Sequence, residues 1–282
     1  MFADPSIAND VSDAIAASVQ SIRDPYQVRS SALGPSKIIT YLQCPLQYKL
    51  RYLDRVTCPV RAEAALGSAI HSVIKFGHQW QWQADRADSS AEMLEAIFEG
   101  VEPEGRDEPT VLVSYRQARD VWLPWYWWWQ GSQKTVLVEE KWAAAVDPED
   151  CAGLEAPVEL EGTIDRVYLE GERFVVSDVK SGARAPGASS LANHLQLSLY
   201  AWAFDRACVR EDSALELVHL RGQTTCRTRR TPEYLQAVIR DTVVPVARAI
   251  QAGIFPAHPG SLYGCQYCVC RAHCVVGAGG EH

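Results

Sequence analysis

The sequence lacks an excess of positive charge and lacks any long hydrophobic run. Lysine and arginine total 27 of the 282 residues, whereas aspartate and glutamate total 35, which gives a net charge of −8. This balance excludes a protein that coats nucleic acid through overall charge, although one local basic groove is compatible with it. The first residues, MFADPSIAND, have neither a basic nor an apolar segment, so we expect no signal peptide. No apolar run is long enough to span a bilayer, and we expect no membrane attachment.

Hydrophobic residues and cysteines are the two classes that the chain does contain in quantity. The hydrophobic fraction is 47%, which is enough for a sizeable core and argues against global disorder. The nine cysteines are an odd number and cluster late in the chain. This usage suits a reducing cytoplasm and metal ligation better than a framework of disulfides.

Helical patterns come first along the chain, and strand-like patterns follow. Ser36 is a candidate N-cap for the helical segment KIITYLQ, and Pro45 begins a second turn region, PLQYKLRYL. We predict further helices over 66–83, 89–99, 110–130, 188–208 and 231–252, and strands over 135–146, 157–169, 173–180, 214–221 and 224–229. This order predicts an α/β core of a mixed sheet flanked by helices, with a helical insertion.

The segment GTIDRVYLEGERFVVSDVKSG (162–182) has the form of a β-hairpin that carries Asp165, Asp178 and Lys180. A two- or four-residue loop centred on Glu170-Gly171 puts all three side chains on one face, with the aspartates as diagonal neighbours. Two carboxylates so placed suit Mg²⁺ or Mn²⁺, and a bound ion lowers the pKa of a water ligand. A neighbouring lysine can stabilise developing negative charge.

That predicted register pairs Tyr168 with Arg173, Asp165 with Val176, and Glu161 with Lys180. The alternative to a metal site is a surface hairpin with ordinary ion pairs, such as one between Glu161 and Lys180. An odd loop length would put the two aspartates on opposite faces.

Three further side chains are candidates for the same centre. His71 lies in the helical pattern GSAIHSVIKFG, where a neutral imidazole can ligate Mn²⁺ or serve only as a packing residue. Gln196 and Tyr200 are four residues apart and share a helix face. They are suited to contacts with a base or a phosphate, or to the edge of a packed helix.

Cysteines at both ends of the chain indicate one metal centre. Cys265, Cys268 and Cys274 have the spacing C-x₂-C-x₅-C, and Cys44 is the best candidate for a fourth thiolate. Four thiolates suit either Zn²⁺ or a [4Fe–4S] cluster, and spacing does not decide between them. Cys270, Cys58 and His273 are alternative ligands.

Two other stretches have two interpretations each. The tryptophans of WLPWYWWWQ (122–130) can stack on single-stranded bases or pack in the core. The basic residues of RGQTTCRTRR (221–230) can contact phosphates or lie at a solvated hairpin tip.

Six motifs in order, from about residue 34 to 275, give the chain a resemblance to a known family. It resembles the RecB-type branch of the PD-(D/E)XK nuclease superfamily, and in particular CRISPR-associated and phage-encoded single-domain exonucleases and the nuclease domain of the AddB subunit. The motifs are SKIITYLQCPLQYKLRY with Cys44, GSAIH with His71, GTIDRV with Asp165, VVSDVKSG with Asp178 and Lys180, QLSLY with Gln196 and Tyr200, and the C-x₂-C-x₅-C tail.

The resemblance implies a role for each matching residue. His71, Asp165, Asp178 and the main-chain carbonyl of Val179 would bind Mg²⁺ or Mn²⁺, and Lys180 would be the catalytic lysine. Gln196 and Tyr200 would lie beside the DNA. A [4Fe–4S] cluster would be held by Cys44, Cys265, Cys268 and Cys274, with zinc as the lesser alternative.

The resemblance also implies a fold, an activity and a domain organisation. We expect a PD-(D/E)XK fold and an exonuclease acting on single-stranded DNA ends, working with phage recombination proteins or with proteins of CRISPR adaptation. The alternative is a non-catalytic DNA-end-binding or adaptor protein on the same fold. We expect an N-terminal arm (1–33) and one nuclease domain (34–282), which divides into a helical part (34–134), a catalytic core (135–252) and an iron–sulfur tail (253–282).

Overall fold

The computed structural model describes residues 32–59, 62–83, 109–131, 133–149, 151, 154, 156–185, 187, 191–208, 213–258 and 265–274. The predicted helix over 89–99, and all but two residues of the predicted arm, lie outside these ranges. Among the described helices, none is both long and apolar enough to cross a membrane.

A five-stranded mixed sheet forms the centre of the described chain. Its strands are β1 (Lys134–Val146), β2 (Val158–Glu170), β3 (Arg173–Lys180), β4 (Ala214–His219) and β5 (Thr224–Thr228). Neighbours follow the chain order, and only the β3/β4 pair is parallel. The five predicted strands are confirmed, with ends displaced by two residues at most, because alternating side chains and flanking turn residues fixed their limits.

The β2–β3 hairpin has a two-residue turn, Gly171-Glu172, in which Gly171 has φ +63°. Glycine is favoured there because a left-handed backbone has no steric penalty without a Cβ atom. Arg166 is opposite Ser177, and Tyr168 is opposite Val175. The predicted pairing of Tyr168 with Arg173 is therefore wrong by two residues, because the turn is centred one position later than predicted.

The other pairs of the predicted register are wrong for the same reason. Val176 is opposite Val167 rather than Asp165, and Lys180 is beside His219 of β4 rather than Glu161. Continuing the register from Arg166 and Ser177 puts Asp165 directly opposite Asp178 instead of diagonally across. A displacement of two residues preserves the faces, so the predicted even loop and the shared face are both confirmed.

Helices cover both faces of the sheet. They are α1 (Pro35–Gln43), α2 (Pro45–Tyr48), α3 (Ala62–Gln83), α4 (Pro109–Gln117), α5 (Leu123–Gln130), α6 (Leu195–Cys208), α7 (Pro232–Val238) and α8 (Val244–Gln251). Single π-helical turns follow α2 and join α4 to α5 and α7 to α8. The predicted helices over 66–83, 110–130 and 231–252 are confirmed.

Two helix starts differ from prediction. The N-cap of α1 is Gly34, not Ser36, because Pro35 occupies the first helical position, where its fixed φ and missing N–H are tolerated. The helix predicted from 188 has its regular part, α6, only from Leu195. At α7 the predicted Thr231 does cap the helix, since its side chain accepts a hydrogen bond from the Tyr234 N–H.

Two apolar cores lie on opposite faces of the sheet. The larger one packs α1, α6, α7 and α8 against strand residues such as Val167, Val176 and Leu215. The other packs α3, α4 and α5 against Val138 and Val179. Val167 and Val176 are two positions from Asp165 and Asp178, so α6, which packs in the same core as these valines, lies on the face that carries the two aspartates.

The tryptophan run belongs largely to the second core. Trp122 is buried, and Trp125, Trp127 and Trp129 pack against that core, whereas Trp128 is 78% exposed. Trp127 lies so close to α3 that a Cβ atom on Gly77 would be 2.4 Å from its ring. The packing interpretation is therefore confirmed for most of this run.

Candidate active site

Asp165, Asp178 and Lys180 meet where β2 and β3 lie side by side. Asp165 is 5% exposed and Asp178 is completely buried, whereas the Lys180 side chain is 37% exposed. Two carboxylates are thus held inside the protein with a partly exposed ammonium group beside them. Buried carboxylates are stable only with compensating charge or hydrogen bonds, so their partners decide what the site can do.

The two carboxylates are only partly compensated by the protein. Lys180 Nζ donates to Asp178 Oδ1 at 2.9 Å, and the Val179 N–H donates to Asp165 Oδ2 at 2.8 Å. Asp178 Oδ2, although also close to Lys180, is buried without a hydrogen-bond partner. Such an acceptor is the kind of atom that ligates a hard cation.

Burial raises the pKa of both aspartates, and the charge of Lys180 opposes this rise. Burial alone would lower the pKa of Lys180, but Asp178 and Asp165 outweigh it and raise that pKa, so the ammonium stays protonated. A divalent cation between the carboxylates would favour their ionised forms further.

His71, on α3, reaches the same centre and there contacts Glu139, a residue that sequence reasoning missed. Its Nδ1 is 2.6 Å from Glu139 Oε1 and 3.9 Å from Asp165 Oδ2. One ligand atom from each of these three residues lies within 4.8 Å of the others, so the group could hold a metal ion. Burial would lower the pKa of His71, but the bond to Glu139 and the nearby carboxylates raise it to about 9.

Glu139 is brought into the centre by an irregularity in β1. Its φ is +45°, and paired residues lie on either side of it, Val138 with Arg166 and Glu140 with Ile164. The only available signal was the acidic pair Glu139-Glu140 in a strand-like run. Alternation alone could not say which of the two faces Asp165, because a register shift also occurs between Thr135 and Leu137.

Gln196 is hydrogen-bonded to Lys180, and Tyr200 to Asp165. Lys180 Nζ donates to Gln196 Oε1 at 2.9 Å, and Gln196 Nε2 donates to the Tyr200 hydroxyl. Tyr200 is buried and donates in turn to Asp165 Oδ1 over 3.5 Å. The pair therefore forms a chain of hydrogen bonds from Lys180 to Asp165.

His194 is a second residue that sequence reasoning did not select. Its Nδ1 accepts a hydrogen bond from the Leu197 N–H at 3.3 Å, at the start of α6. Burial lowers its pKa, and it is close enough to Asp178 and Lys180 to sense both charges. A neutral imidazole therefore borders the centre on the α6 side.

Three arginines of the basic stretch contact other groups of the protein. The Arg221 guanidinium carbon lies 4.8 Å from the centroid of the Trp122 ring, and Arg227 donates to Glu216 Oε1 at 2.9 Å. Arg230 donates to the Leu191 carbonyl at 2.6 Å. These contacts favour a structural role for the hairpin over phosphate binding.

Four cysteines, one from the junction of α1 and α2 and three from the tail, lie near one another. Cys44, Cys265, Cys268 and Cys274 are free thiols. Burial raises the pKa of Cys268, and the other three thiols lie near enough to contribute to the rise. The structure therefore brings together the four cysteines selected from the sequence.

The alternative ligands have other partners. Cys58 and Cys270, the two alternative thiol ligands, form a disulfide with each other, and the remaining seven cysteines are free. His273 Nε2 lies 3.1 Å from the Thr57 carbonyl and can donate to it. The disulfide and this hydrogen bond both fasten the tail to the segment that follows α2.

A mixed sheet that buries two aspartates beside a lysine, under a crossover helix, has the arrangement of a metal-dependent nuclease. Residues 32–275 match the family model of the PD-(D/E)XK nuclease superfamily, and the chain belongs to that superfamily. No curated protein matches the chain. Among solved structures, the crystal structure of SSO0001 is similar, with a TM-score of 0.43 and 10% identity over 93% of this chain and 94% of that chain.

Proposed function

We propose that this protein is a metal-dependent exonuclease that hydrolyses phosphodiester bonds at single-stranded DNA ends. The observation that carries the proposal is the pair of buried, opposed aspartates beside Lys180, whose Nζ lies 2.9 Å from each oxygen of Asp178. A protein that only binds DNA has no need of such a costly arrangement of buried charge. Exonuclease action on single strands is supported by the resemblance to RecB-type nucleases.

The donor set suits Mg²⁺ or Mn²⁺. His71, Asp165, Asp178 and the Val179 carbonyl would hold the ion, and their oxygen and imidazole atoms are the ligands that these cations accept. The bound ion would supply a water of lowered pKa and charge for the phosphate. Lys180, protonated and half-exposed, would hold the phosphate or the attacking water, and Gln196 would fix the position of its ammonium group.

A [4Fe–4S] cluster is the group that best suits the thiols of Cys44, Cys265, Cys268 and Cys274. In a tetrahedral zinc site with Zn–S bonds of about 2.3 Å, the sulfurs lie only about 3.8 Å apart. Among the described residues, one group of possible metal ligands has all its ligand atoms within 4.8 Å of one another, namely His71, Glu139 and Asp165. That group contains no cysteine. A wider set of thiols favours a cluster over a single zinc ion.

Residues 34–282 would then form one nuclease domain, with a helical part, a catalytic core and a tail held by the cluster. The resemblance to phage-encoded and CRISPR-associated enzymes supports a cytoplasmic role in phage recombination or in spacer processing, together with the protein partners of those pathways.

The proposal is tested with a 5′- or 3′-labelled single-stranded oligonucleotide and Mn²⁺. Wild type should shorten the strand from an end, whereas Asp178→Asn and Lys180→Ala should leave the strand intact. Lys141→Ala, on an exposed position of β1, is the matched control and should cleave like wild type. Circular dichroism verifies that the variants are folded.

The outcomes separate this proposal from its main alternative. Products released from the interior of a circular single strand would replace the exonuclease with an endonuclease. If wild type and both variants bind DNA equally and none cleaves it, the protein is a DNA-end-binding protein and the proposed activity is wrong.

A further inference from the structure

One pair of cysteines is oxidised in a chain whose other cysteines are free. Cys58, in the segment that follows α2, and Cys270, in the tail, form a disulfide with a sequence separation of 212 residues, whereas the remaining seven cysteines are thiols. A chain that keeps most of its cysteines reduced suits a reducing compartment. Disulfides that form in such compartments are usually transient and redox-sensing, so this bond requires an explanation other than a structural framework.

Cys270 is the only buried residue among the described tail residues, 265–274. These residues form two single-turn 3₁₀ helices, and their backbone hydrogen bonds join tail residues to one another. A segment this short cannot bury enough apolar surface to fix its own position, so its attachments to the rest of the protein decide where it lies. The disulfide is one attachment, and the hydrogen bond between His273 Nε2 and the Thr57 carbonyl is another.

The disulfide is directly connected to the group of four thiols. Cys270 lies between Cys268 and Cys274 in the sequence, and its N–H donates to the Cys268 sulfur. On the other side, Cys58 is connected to Cys44 by α2 and the π-helical turn that follows it. The disulfide and a metal centre on the four thiols therefore join the same two parts of the protein. When two attachments join the same parts, each keeps the groups of the other at a high effective concentration.

We propose that Cys58 and Cys270 are a reversible redox site that controls how firmly the four thiols hold a metal centre. When the pair is oxidised, it keeps the three tail thiols beside Cys44, so that a thiol released from the metal binds again. When the pair is reduced, the tail loses this covalent attachment to the segment after α2. The coupling is reciprocal, so a bound metal centre also favours formation of the disulfide. The inference rests on the metal centre proposed for these thiols and not on the nuclease activity.

The redox step is thiol–disulfide exchange with a low-molecular-weight thiol. Cys58 is partly exposed and Cys270 is completely buried, so the small thiolate attacks the Cys58 sulfur and the Cys270 sulfur leaves and takes up a proton. A second small thiol then attacks the mixed disulfide on Cys58, which frees the Cys58 thiol and releases the small-molecule disulfide. The protein gains two electrons and two protons, and two small thiols are oxidised to one disulfide.

The first measurement incubates the protein with mixtures of reduced and oxidised glutathione, blocks the free thiols and detects peptides linked through Cys58 and Cys270 by mass spectrometry. The link should be present in oxidising mixtures and absent from reducing ones, while circular dichroism shows folded protein throughout. A link that survives excess reduced glutathione until the protein unfolds would identify a structural disulfide and overturn the inference. A link that forms in no mixture would overturn it as well.

The second measurement follows the release of iron and zinc into excess chelator from protein purified without oxygen. Oxidised wild type should release the metal of the thiols roughly 10-fold more slowly than reduced wild type or Cys58→Ala. Cys270→Ala should match Cys58→Ala, and it gives an independent result if Cys58→Ala does not fold. Cys226→Ser, which removes a half-buried free thiol of β5, is the matched control and should release metal like wild type.

Equal release rates for oxidised wild type, reduced wild type and the two alanine variants would contradict the inference. Oxidised wild type that retains neither iron nor zinc would do the same, because the disulfide would then have no metal centre to control. Neither measurement involves DNA. A protein that shows the redox effect on metal release yet cleaves no DNA would contradict the proposed nuclease activity alone.

Discussion

Lys180 is fixed by two acceptors, and one of them is the amide oxygen of Gln196. Its Nζ lies 2.9 Å from Asp178 Oδ1 and 2.9 Å from Gln196 Oε1. A lysine side chain loses considerable rotamer freedom when it is held in one position, so each acceptor contributes to the placement of the charge. Gln196 is in turn bonded to the buried Tyr200. This geometry predicts that Gln196 positions Lys180, in addition to the place beside the DNA that the resemblance implies.

Replacing Gln196 with leucine should lower kcat far more than it changes KM. The ammonium would keep its bond to Asp178 but lose its second acceptor, and misplacement of a catalytic group costs roughly 10-fold to 100-fold in rate. The measurement is steady-state cleavage of a labelled oligonucleotide over a range of DNA concentrations. An unchanged kcat with a raised KM would instead identify Gln196 as a contact to DNA.

Gln117→Leu is the matched control, since Gln117 is exposed near the end of α4 and belongs to the helical layer on the other face of the sheet. It should leave both constants unchanged. A fall in kcat for both variants would indicate a general effect of the substitution and not the loss of the bond to Lys180.

Sequence alternation identified the side chains of the hairpin but could not identify Glu139. Asp165, Asp178 and Lys180 follow the two-residue period of regular strands, so an error of two residues in register left them on one face. Glu139 depends on a local irregularity in β1, where counting by twos fails. Its partner His71 comes from a helix that no local rule brings to this strand.

At the level of elements, α3 and α5 are joined by a buried polar contact between aromatic residues. His78 is 1% exposed, its Nε2 is 2.9 Å from the Tyr126 hydroxyl, and its ring meets Trp127 edge-on at 5.0 Å. Burial, and then the charge of Arg166, lower the pKa of His78 from 6.5 to about 3. The imidazole is therefore neutral in the folded protein at neutral pH.

This shift predicts that the helical layer weakens in mild acid. Because the folded pKa is depressed, the unfolded chain takes up a proton below about pH 6.5 while the folded protein does not until about pH 3. The stabilisation is complete above pH 6.5 and is lost as the pH falls toward 3, at up to about 1.4 kcal/mol per pH unit. Urea denaturation at pH 7, 6 and 5 measures this slope.

His78→Gln should flatten the pH dependence of the unfolding free energy between pH 7 and pH 5, because glutamine does not titrate yet can bond to Tyr126. Other groups titrate equally in both proteins, so the difference between them isolates His78. His258→Gln, at an exposed position, should keep the wild-type slope. Identical slopes for wild type and His78→Gln would contradict the prediction.

Strands and long helices were predictable from the sequence to within a few residues, whereas helix starts and strand register were less so. Pro35 and Leu195 begin their helices at positions set by the local backbone and by tertiary packing, which periodicity does not encode. The position of the turn depends on which residue adopts a positive φ. By composition, Glu170-Gly171 was as good a candidate for the two turn residues as the observed Gly171-Glu172.

On the scale of the whole molecule, α1 and α2 are fastened to the segment that follows α8. The Tyr41 hydroxyl donates to the Ile254 carbonyl at 2.6 Å, and the Leu46 N–H donates to the Pro256 carbonyl at 3.2 Å. Cys44 lies between these contacts at the junction of α1 and α2. A metal centre that joins Cys44 to the tail thiols would close a loop of most of the chain, which restricts the unfolded state.

Replacing Cys44 with serine should therefore lower both the iron content and the thermal stability of protein purified without oxygen. Loss of one ligand of a structural metal centre removes stability on the order of several kcal/mol, which corresponds to a fall in Tm of roughly 5 °C or more. Iron assay and calorimetry measure the two effects. Cys226→Ser, in β5, is the matched control because Cys226 is a half-buried free thiol on the sheet. A Cys44→Ser protein with full iron content and an unchanged Tm would show that the two ends are held by their hydrogen bonds and the Cys58–Cys270 disulfide alone.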